Sequence, residues 1–288
     1  MALKEIDEIS GTETTGHEWD GIKELNTPLP RWWLYTFYAT IVWAVGYCIA
    51  YPAVPLVGEA TRGVLGWSSR ADLDKTLDAA QAAQAGMIER IAATDVSDII
   101  ADAEMERFAR SAGASLFKVN CSQCHGSGAA GSIGYPNLND DEWLWGGAPE
   151  AIYTTISHGV RFADDENARF SEMPAFGAGL LEREQIFEVA GYVASLSGME
   201  SVYPVTEEGA QLFADNCASC HGTGGTGMQD VGAPPLNNAI ALYAENADAI
   251  VAQVTAPRHG VMPAWQAKLG DVAVKELAVY VHGLGGGQ

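Results

Sequence analysis

The residues best suited to chemistry form a short pattern that occurs twice. Four of the five cysteines belong to a Cys-x-x-Cys-His motif, present as Cys121-Ser-Gln-Cys124-His125 and as Cys217-Ala-Ser-Cys220-His221. Two disulfides would account for the cysteines but not for the histidine that follows each pair. The motif is the attachment sequence of c-type haem, in which both thiols form thioethers to the porphyrin and the histidine becomes the proximal iron ligand. The sequence therefore predicts two covalently bound haem c groups.

Two other uses of a cysteine pair fit less well. A thioredoxin-like redox motif needs a βαβ context, which the surrounding sequence lacks. A zinc site would need two further cysteines or histidines at comparable spacing. The fifth cysteine, Cys48, lies in a long apolar segment and is expected to be a lipid-facing or packing residue.

The second axial ligand decides between electron transfer and the binding of a small molecule. Met173 and Met262 each follow a haem motif and each precede a proline, whose fixed φ stiffens the turn. Histidine–methionine ligation fills both open positions of the iron and raises its reduction potential. This favours electron transfer. Which haem each methionine serves, that of its own motif or that of the other, stays open.

His158 and His259 are the alternative ligands, and would give haems of lower potential. They lie 15 and 3 residues before the two methionines, so they do not occupy equivalent positions as the methionines do. Pro136 and Pro234 follow the two motifs at matching places. Because a ligating histidine usually donates its other N–H to a fixed acceptor, their carbonyl groups are candidates for that role.

An internal repeat organises the second part of the chain. Residues 113–121 resemble residues 209–217, and Met-Pro-Ala is followed by an aromatic residue in both copies. We predict two helical haem domains, 104–200 and 201–288, each opening with a helix that runs into the motif and ending with a closing helix. Within this plan Phe117 and Phe213 on the leading helices would meet Tyr192 and Tyr280 on the closing helices. The fold class is all-α.

Three segments precede the repeat. Residues 1–30 are an acidic tail that we expect to be mostly disordered. Within residues 31–55, the uncharged stretch from Trp32 to Tyr51 is twenty residues long. As a helix it would span about 30 Å of hydrocarbon, which predicts a transmembrane anchor. Residues 56–103 form a linker in which apolar residues from Leu73 to Ile91 recur at helical spacing, giving an amphipathic helix that serves as a stalk or packs on the first haem domain.

The net charge of −21 limits the partners of the chain. Nucleic-acid binding needs clustered Lys and Arg and is excluded. An acidic surface attracts basic proteins and speeds their encounter. The cluster Asp164-Asp165-Glu166 is interpreted as a solvated loop, with the docking of a basic cytochrome as the alternative.

These features resemble a known family. The paired motifs, prolines and methionines are similar to class I cytochrome c domains in tandem, and the stretch from Glu18 to Trp33, which contains Trp-Asp-Gly-Ile and Pro-Leu-Pro-Arg-Trp-Trp, resembles the N-terminus of the diheme subunit III of cbb3-type cytochrome c oxidase. The resemblance covers nearly the whole chain. It implies one N-terminal transmembrane helix, a helical linker and two tandem class I cytochrome c domains.

The resemblance also implies a function. Such a subunit accepts electrons from a soluble cytochrome c and passes them through a monohaem cytochrome c subunit to a catalytic haem-copper subunit, which reduces oxygen to water and pumps protons. It has no oxygen-reducing site of its own. The haem domains would be periplasmic, with the tail in the cytoplasm and the anchor in the bacterial inner membrane. The alternatives are an anchored diheme carrier serving a periplasmic dehydrogenase, a diheme peroxidase with an open iron position, and a haem-based sensor.

Overall fold

The computed structural model describes residues 5–286, and the chain divides into two compact units at the Ala83/Gln84 boundary. The first unit contains strands β1 (Thr14–Trp19) and β2 (Ile22–Leu25) and helix α1 (Arg31–Ala50). Helix α2 (Ser69–Ala92) begins in the first unit and ends in the second. The second unit continues with α3 (Val96–Ala101), α4 (Ala103–Asn120), α5 (Ser122–His125), α6 (Pro149–His158), α7 (Arg183–Leu196), α8 (Glu207–Asn216), α9 (Ala218–His221), α10 (Ala247–Thr255), α11 (Gln266–Leu269) and α12 (Asp271–His282). Short 3₁₀ turns occupy Phe176–Ala178 and Gln229–Val231. The second unit is helical, as predicted.

The acidic N-terminal segment is folded into a hairpin. Strands β1 and β2 are antiparallel, with Trp19 opposite Ile22. The two residues between them, Asp20 and Gly21, have φ of 51° and 83°. Positive φ at both positions matches the right-handed twist of a hairpin, and Asp-Gly is a favoured pair there. The expectation of a mostly disordered tail is therefore wrong for these strands, because it weighed composition and overlooked the turn signal.

Helix α1 is the candidate membrane anchor. It has 20 residues, none of them buried, and carries no charged side chain after Arg31. Stacked aromatic pairs lie near its two ends, Trp33–Phe37 and Tyr47–Tyr51. A helix long and apolar enough to cross a membrane is thus present at the predicted place.

The predicted amphipathic helix of the linker corresponds to α2. Its apolar stripe is largely exposed, with Leu73 56% and Leu77 50% accessible. Near its end, Met87 and Ile91 pack on the first core described below. The Lys275 ammonium group donates to the Ala92 carbonyl at 2.9 Å, which satisfies an unpaired acceptor at the end of the helix.

Two hydrophobic cores make up the second unit. The first joins α3, α4 and α6 to α12, and its fully buried side chains include Ile99, Phe117, Val274 and Leu277. The second joins α7, α8 and α10, with Val189 and Phe213 fully buried at its centre. Each core thus adjoins one Cys-x-x-Cys-His motif, since Cys121 packs against the first core and Cys217 is buried in the second.

The closing helices are exchanged between the two copies of the repeat. Phe117 of the first copy packs on Tyr280 of the second, with ring centroids 5.4 Å apart, and Phe213 packs on Tyr192 of the first copy at 5.3 Å. The aromatic pairs expected within each copy are therefore formed between copies.

Two glycines at equivalent repeat positions let the exchanged helices touch. A methyl group built on Gly113 would lie 2.1 Å from the Glu276 carbonyl oxygen, and one on Gly209 would lie 2.4 Å from the Glu188 carbonyl oxygen. Helices α7 and α8 are joined by the short segment 197–206, whereas α4 and α7 are far apart in sequence. Since consecutive elements usually pack together, the short connection favours the α7–α8 contact and leaves α4 to pair with α12.

Candidate haem sites

The first Cys-x-x-Cys-His motif lies at one wall of a cleft in the first core. Helix α4 runs directly into it, because the Cys121 N–H donates to the Phe117 carbonyl at 2.9 Å and the His125 N–H to the Cys121 carbonyl at 3.0 Å. The single turn α5 then ends at Gly126, whose φ is 79°. Cys121, Cys124 and His125 all line this cleft.

Met262 lines the same cleft and comes from the second copy of the repeat. Its backbone forms an antiparallel bridge with Val160: the Val160 N–H donates to the Met262 carbonyl at 2.9 Å, and the Met262 N–H donates back at 3.0 Å. A methyl group on Gly159, at φ 75°, would lie 2.2 Å from the Met262 carbonyl oxygen. The glycine thus permits the approach of the methionine segment.

The second motif has the same local geometry. The Cys217 N–H donates to the Phe213 carbonyl at 2.8 Å, and the His221 N–H donates to the Cys217 carbonyl at 2.9 Å. Cys217 is buried in the second core, and Met173 of the first copy packs against that core. The structure therefore associates each motif with the methionine of the other copy.

Both histidines are held in place by a hydrogen bond at Nδ1. His125 Nδ1 lies 3.0 Å from the Pro136 carbonyl oxygen, and His221 Nδ1 lies 2.9 Å from that of Pro234. Donation from Nδ1 leaves Nε2 as the lone-pair nitrogen of a neutral ring. Burial lowers the pKa of both imidazoles, against the opposing effect of these carbonyl groups.

The haem-motif cysteines are not consumed by disulfides. All five cysteines lie within the described residues, and none of them forms a disulfide. Burial, with a smaller contribution from the neighbouring cysteine of each pair, raises the pKa of the Cys121 and Cys217 thiols to about 11.

The walls of the first cleft suit a flat, mostly apolar macrocycle. Apolar and aromatic side chains from both copies surround the motif and Met262, including Leu138, Trp143, Ile152, Ile156, Trp265 and Leu277. A thiol pair, a neutral imidazole and a thioether facing one apolar cleft are the donor set that haem c requires. The residues present therefore fit this group.

The two histidines considered as alternative ligands have other partners. His158 Nδ1 pairs with an Asp165 carboxylate oxygen at 3.0 Å, and this bond lowers the pKa of Asp165. His259 Nε2 accepts the Met173 N–H at 3.0 Å. One member of the acidic cluster 164–166 is thus engaged within the loop.

Arg161 is a residue of the site that the sequence reasoning missed. It lines the first cleft, and its backbone is left-handed, with φ of 51°. A usable signal was present: the tripeptide His-Gly-Val occurs at 158–160 and again at 259–261. The structure brings both tripeptides together, since Arg161 Nε donates to the Gly260 carbonyl at 2.7 Å.

Two helical cores, each joining a Cys-x-x-Cys-His motif to a methionine segment, define cytochrome c domains, which carry covalently attached haem c. Two family models match the chain: the N-terminal domain of cytochrome oxidase-cbb3, FixP, over residues 11–58, and cytochrome c oxidase, cbb3-type, subunit III, over residues 109–193 and 204–281. The chain belongs to the family of cbb3-type cytochrome c oxidase subunit III. It is a subunit of this type of oxidase, and the resemblance proposed from the sequence is confirmed.

Named relatives span the whole chain. The cbb3-type cytochrome c oxidase subunit FixP of Sinorhizobium medicae is 61% identical over 285 residues, covering 99% of this chain and 98% of its own. Subunit FixPc of Rhizobium leguminosarum bv. viciae is 56% identical, with 100% of both chains covered. Subunit CcoP of Cereibacter sphaeroides is 53% identical over 276 residues, covering 96% and 95%.

Proposed function

We propose that this chain is a membrane-anchored diheme electron carrier of a cbb3-type oxidase. It would pass electrons from a soluble periplasmic cytochrome c, through a monohaem subunit, to a catalytic haem-copper subunit, where oxygen is reduced to water and protons are translocated. The observation that carries the proposal is the pair of Cys-x-x-Cys-His motifs, each associated with a methionine across a common core.

Two haem c groups would be held by exchanged ligand sets. The first set would be Cys121, Cys124, His125 and Met262. The second would be Cys217, Cys220, His221 and Met173, supported by the packing of Met173 on the core of Cys217. Haem c, when bound, supplies an iron couple that takes up and releases one electron.

The surrounding residues would keep the ligands in place and the site dry. The Pro136 and Pro234 carbonyl groups orient the two imidazoles through Nδ1. The apolar walls exclude water from the cleft. A histidine and a methionine would both hold the iron and would leave no position for oxygen or peroxide, so the chain itself would carry electrons and not reduce oxygen.

The topology follows from the chemistry of the sites. Attachment of c-type haem takes place outside the cytoplasm, so the second unit would be periplasmic. Helix α1 would cross the inner membrane, leaving the N-terminal segment in the cytoplasm. The net charge of −21 suits a donor cytochrome with a basic face.

The test is to purify the solubilised native complex through a tag on this chain and measure haem content and oxygen uptake from reduced cytochrome c. We expect b-type haem to co-purify and oxygen to be consumed. Variants Cys121→Ala and Cys217→Ala should each lower the c-type haem attached to this chain by about half, with Cys48→Ala as the unaffected control. Purification of this chain alone from membranes that retain an intact oxidase would favour the anchored carrier of a dehydrogenase instead.

A further inference from the structure

Three segments meet where the two methionine loops approach each other. They are Gly159–Arg161 after α6, Arg169–Met173 before the first methionine, and His259–Met262 before the second. Backbone bonds join the first segment to both others. The Arg161 N–H donates to the Arg169 carbonyl at 2.8 Å, and the Val160 N–H donates to the Met262 carbonyl at 2.9 Å. Val160 is thus joined to both Arg169 and Met262 by isolated β-bridges.

The Arg161 side chain adds a second connection between the loops. Its Nε donates to the Gly260 carbonyl at 2.7 Å, two residues before Met262. Its Nη1 donates to the Ser171 carbonyl at 2.9 Å, two residues before Met173. One guanidinium group therefore holds both methionine loops, a use for which its rigid fork is well suited.

The backbone of Arg161 indicates that this position is held by its surroundings. A φ of 51° is unfavourable for a long side chain and persists only where neighbouring contacts over-determine it. The contacts just described do so. An observed outlier at a functional site points to a role for the residue.

His259 supplies a direct connection. Its Nε2 accepts the backbone N–H of Met173 at 3.0 Å, although His259 belongs to the loop of Met262. The ring is half-buried, and its position three residues before Met262 ties the backbone of one methionine to the loop of the other.

We propose that Arg161 and His259 are positioning residues that join the two methionine loops into one unit, so that methionine ligation at the two haem sites is maintained or lost together. This inference rests on the exchanged ligand sets of the proposed function. If the two haem domains were independent, damage to one methionine loop would leave the ligation of the other iron unaffected.

The test uses the detergent-solubilised full chain with both haems attached. Two readouts report methionine ligation: the weak far-red absorption of an iron–sulfur bond in the oxidised state, and the two waves of a redox titration. Met173→Leu and Met262→Leu are the references. Each should remove about half of the far-red band and lower one wave, because loss of methionine lowers the potential.

The informative variants are Arg161→Asn and His259→Leu. Asparagine tolerates a left-handed backbone but is too short to reach both carbonyl groups. We expect each variant to lower both redox waves and to remove more of the far-red band than either reference does. His259→Gln, whose amide oxygen can still accept the Met173 N–H, should restore the band. Arg107→Asn, at an exposed position on α4, controls for the lost charge.

Two failures can be told apart. If Met173→Leu and Met262→Leu leave the band and both waves intact, the ligand assignment of the proposed function is wrong. If these references behave as expected but Arg161→Asn and His259→Leu shift one wave or none, the coupling of the loops is refuted. His259→Leu leaves the strained Arg161 backbone untouched, so it decides the question even if Arg161→Asn does not fold.

Discussion

The exchange of closing helices predicts where a lesion in the last helix will be felt. Leu277 of α12 is fully buried in the first core, together with Phe117 of α4. Leu277→Ala should therefore destabilise the helix that carries the first haem motif. Truncating a buried leucine costs roughly 2–5 kcal/mol, with more lost where the cavity cannot collapse.

The magnitude follows from the contact between α4 and α12. Their backbones already touch at Gly113, where an added methyl group would lie 2.1 Å from the Glu276 carbonyl oxygen. The helices cannot move closer to fill the space left by the leucine side chain. We therefore expect the upper half of the range, about 3–5 kcal/mol, which raises the opening equilibrium by a factor on the order of 100 or more.

Hydrogen exchange of the full chain, resolved by peptide, would measure this effect. Amides of α4 should lose protection in Leu277→Ala, while those of α8 change less. Ile186→Ala is the matched variant, since Ile186 of α7 is 3% exposed in the second core. It should loosen α8 more than α4. If Leu277→Ala loosens α8 and Ile186→Ala loosens α4, the helices close their own copies and the exchange is refuted.

Three further predictions concern backbone contact and burial. Gly113→Ala places a methyl group against the Glu276 carbonyl oxygen and should lower the free energy of unfolding by about 1–3 kcal/mol in urea. Burial raises the pKa of the Glu276 carboxyl from 4.5 to about 7, so the folded state binds more protons than the unfolded state and stability falls as pH rises through that interval. Glu276→Gln should remove this dependence and, above pH 7, gain up to about 3 kcal/mol in unfolding free energy over the wild type. Gly159→Ala, which would place its methyl group 2.2 Å from the Met262 carbonyl oxygen, should weaken the far-red iron–sulfur band.

Each of these has a control. Gly86→Ala in α2 has no atom within 4 Å of the added methyl group and should gain up to about 1 kcal/mol from helix propensity. Glu106→Gln in α4, at a carboxylate paired with Arg110, should leave the pH dependence between 4.5 and 7 in place. Gly128→Ala, also without a neighbour within 4 Å, should leave the far-red band unchanged. The close contact at Gly113 is contradicted if Gly113→Ala is as stable as the wild type. The buried carboxyl is contradicted if Glu276→Gln leaves the pH profile unchanged. The contact at Gly159 is contradicted if Gly159→Ala keeps the full far-red band.

Local features of the fold were predictable because their signals are local. The uncharged run of α1 has the length that a membrane requires, and the apolar period of α2 is that of a helix. The Asp20-Gly21 turn carried an equally local signal for the hairpin. It was outweighed by the acidic composition of the segment, which is a weaker guide where a turn pair is present.

Candidate ligands were also identifiable from sequence, because thioether attachment and axial ligation need particular residue types at particular spacing. The role of Arg161 could not be predicted from the sequence, because it depends on two carbonyl groups that lie 10 and 99 residues away in sequence. Nothing in the residue type alone distinguishes Arg161 from the other charged residues of the chain. The repeated His-Gly-Val tripeptide was the one available trace.

The sequence by itself determined the anchor, the two haem motifs, the two methionines and the repeat. It left open which methionine and which closing helix belong with each motif. The repeat is the reason: Phe117 and Phe213 are equivalent, as are Tyr192 and Tyr280, so either pairing satisfies the local pattern. The tertiary structure decided the pairing of the closing helices through the short connection of α7 to α8 and through the fit of Gly113 against α12. Those are contacts between distant residues, and no local pattern encodes them.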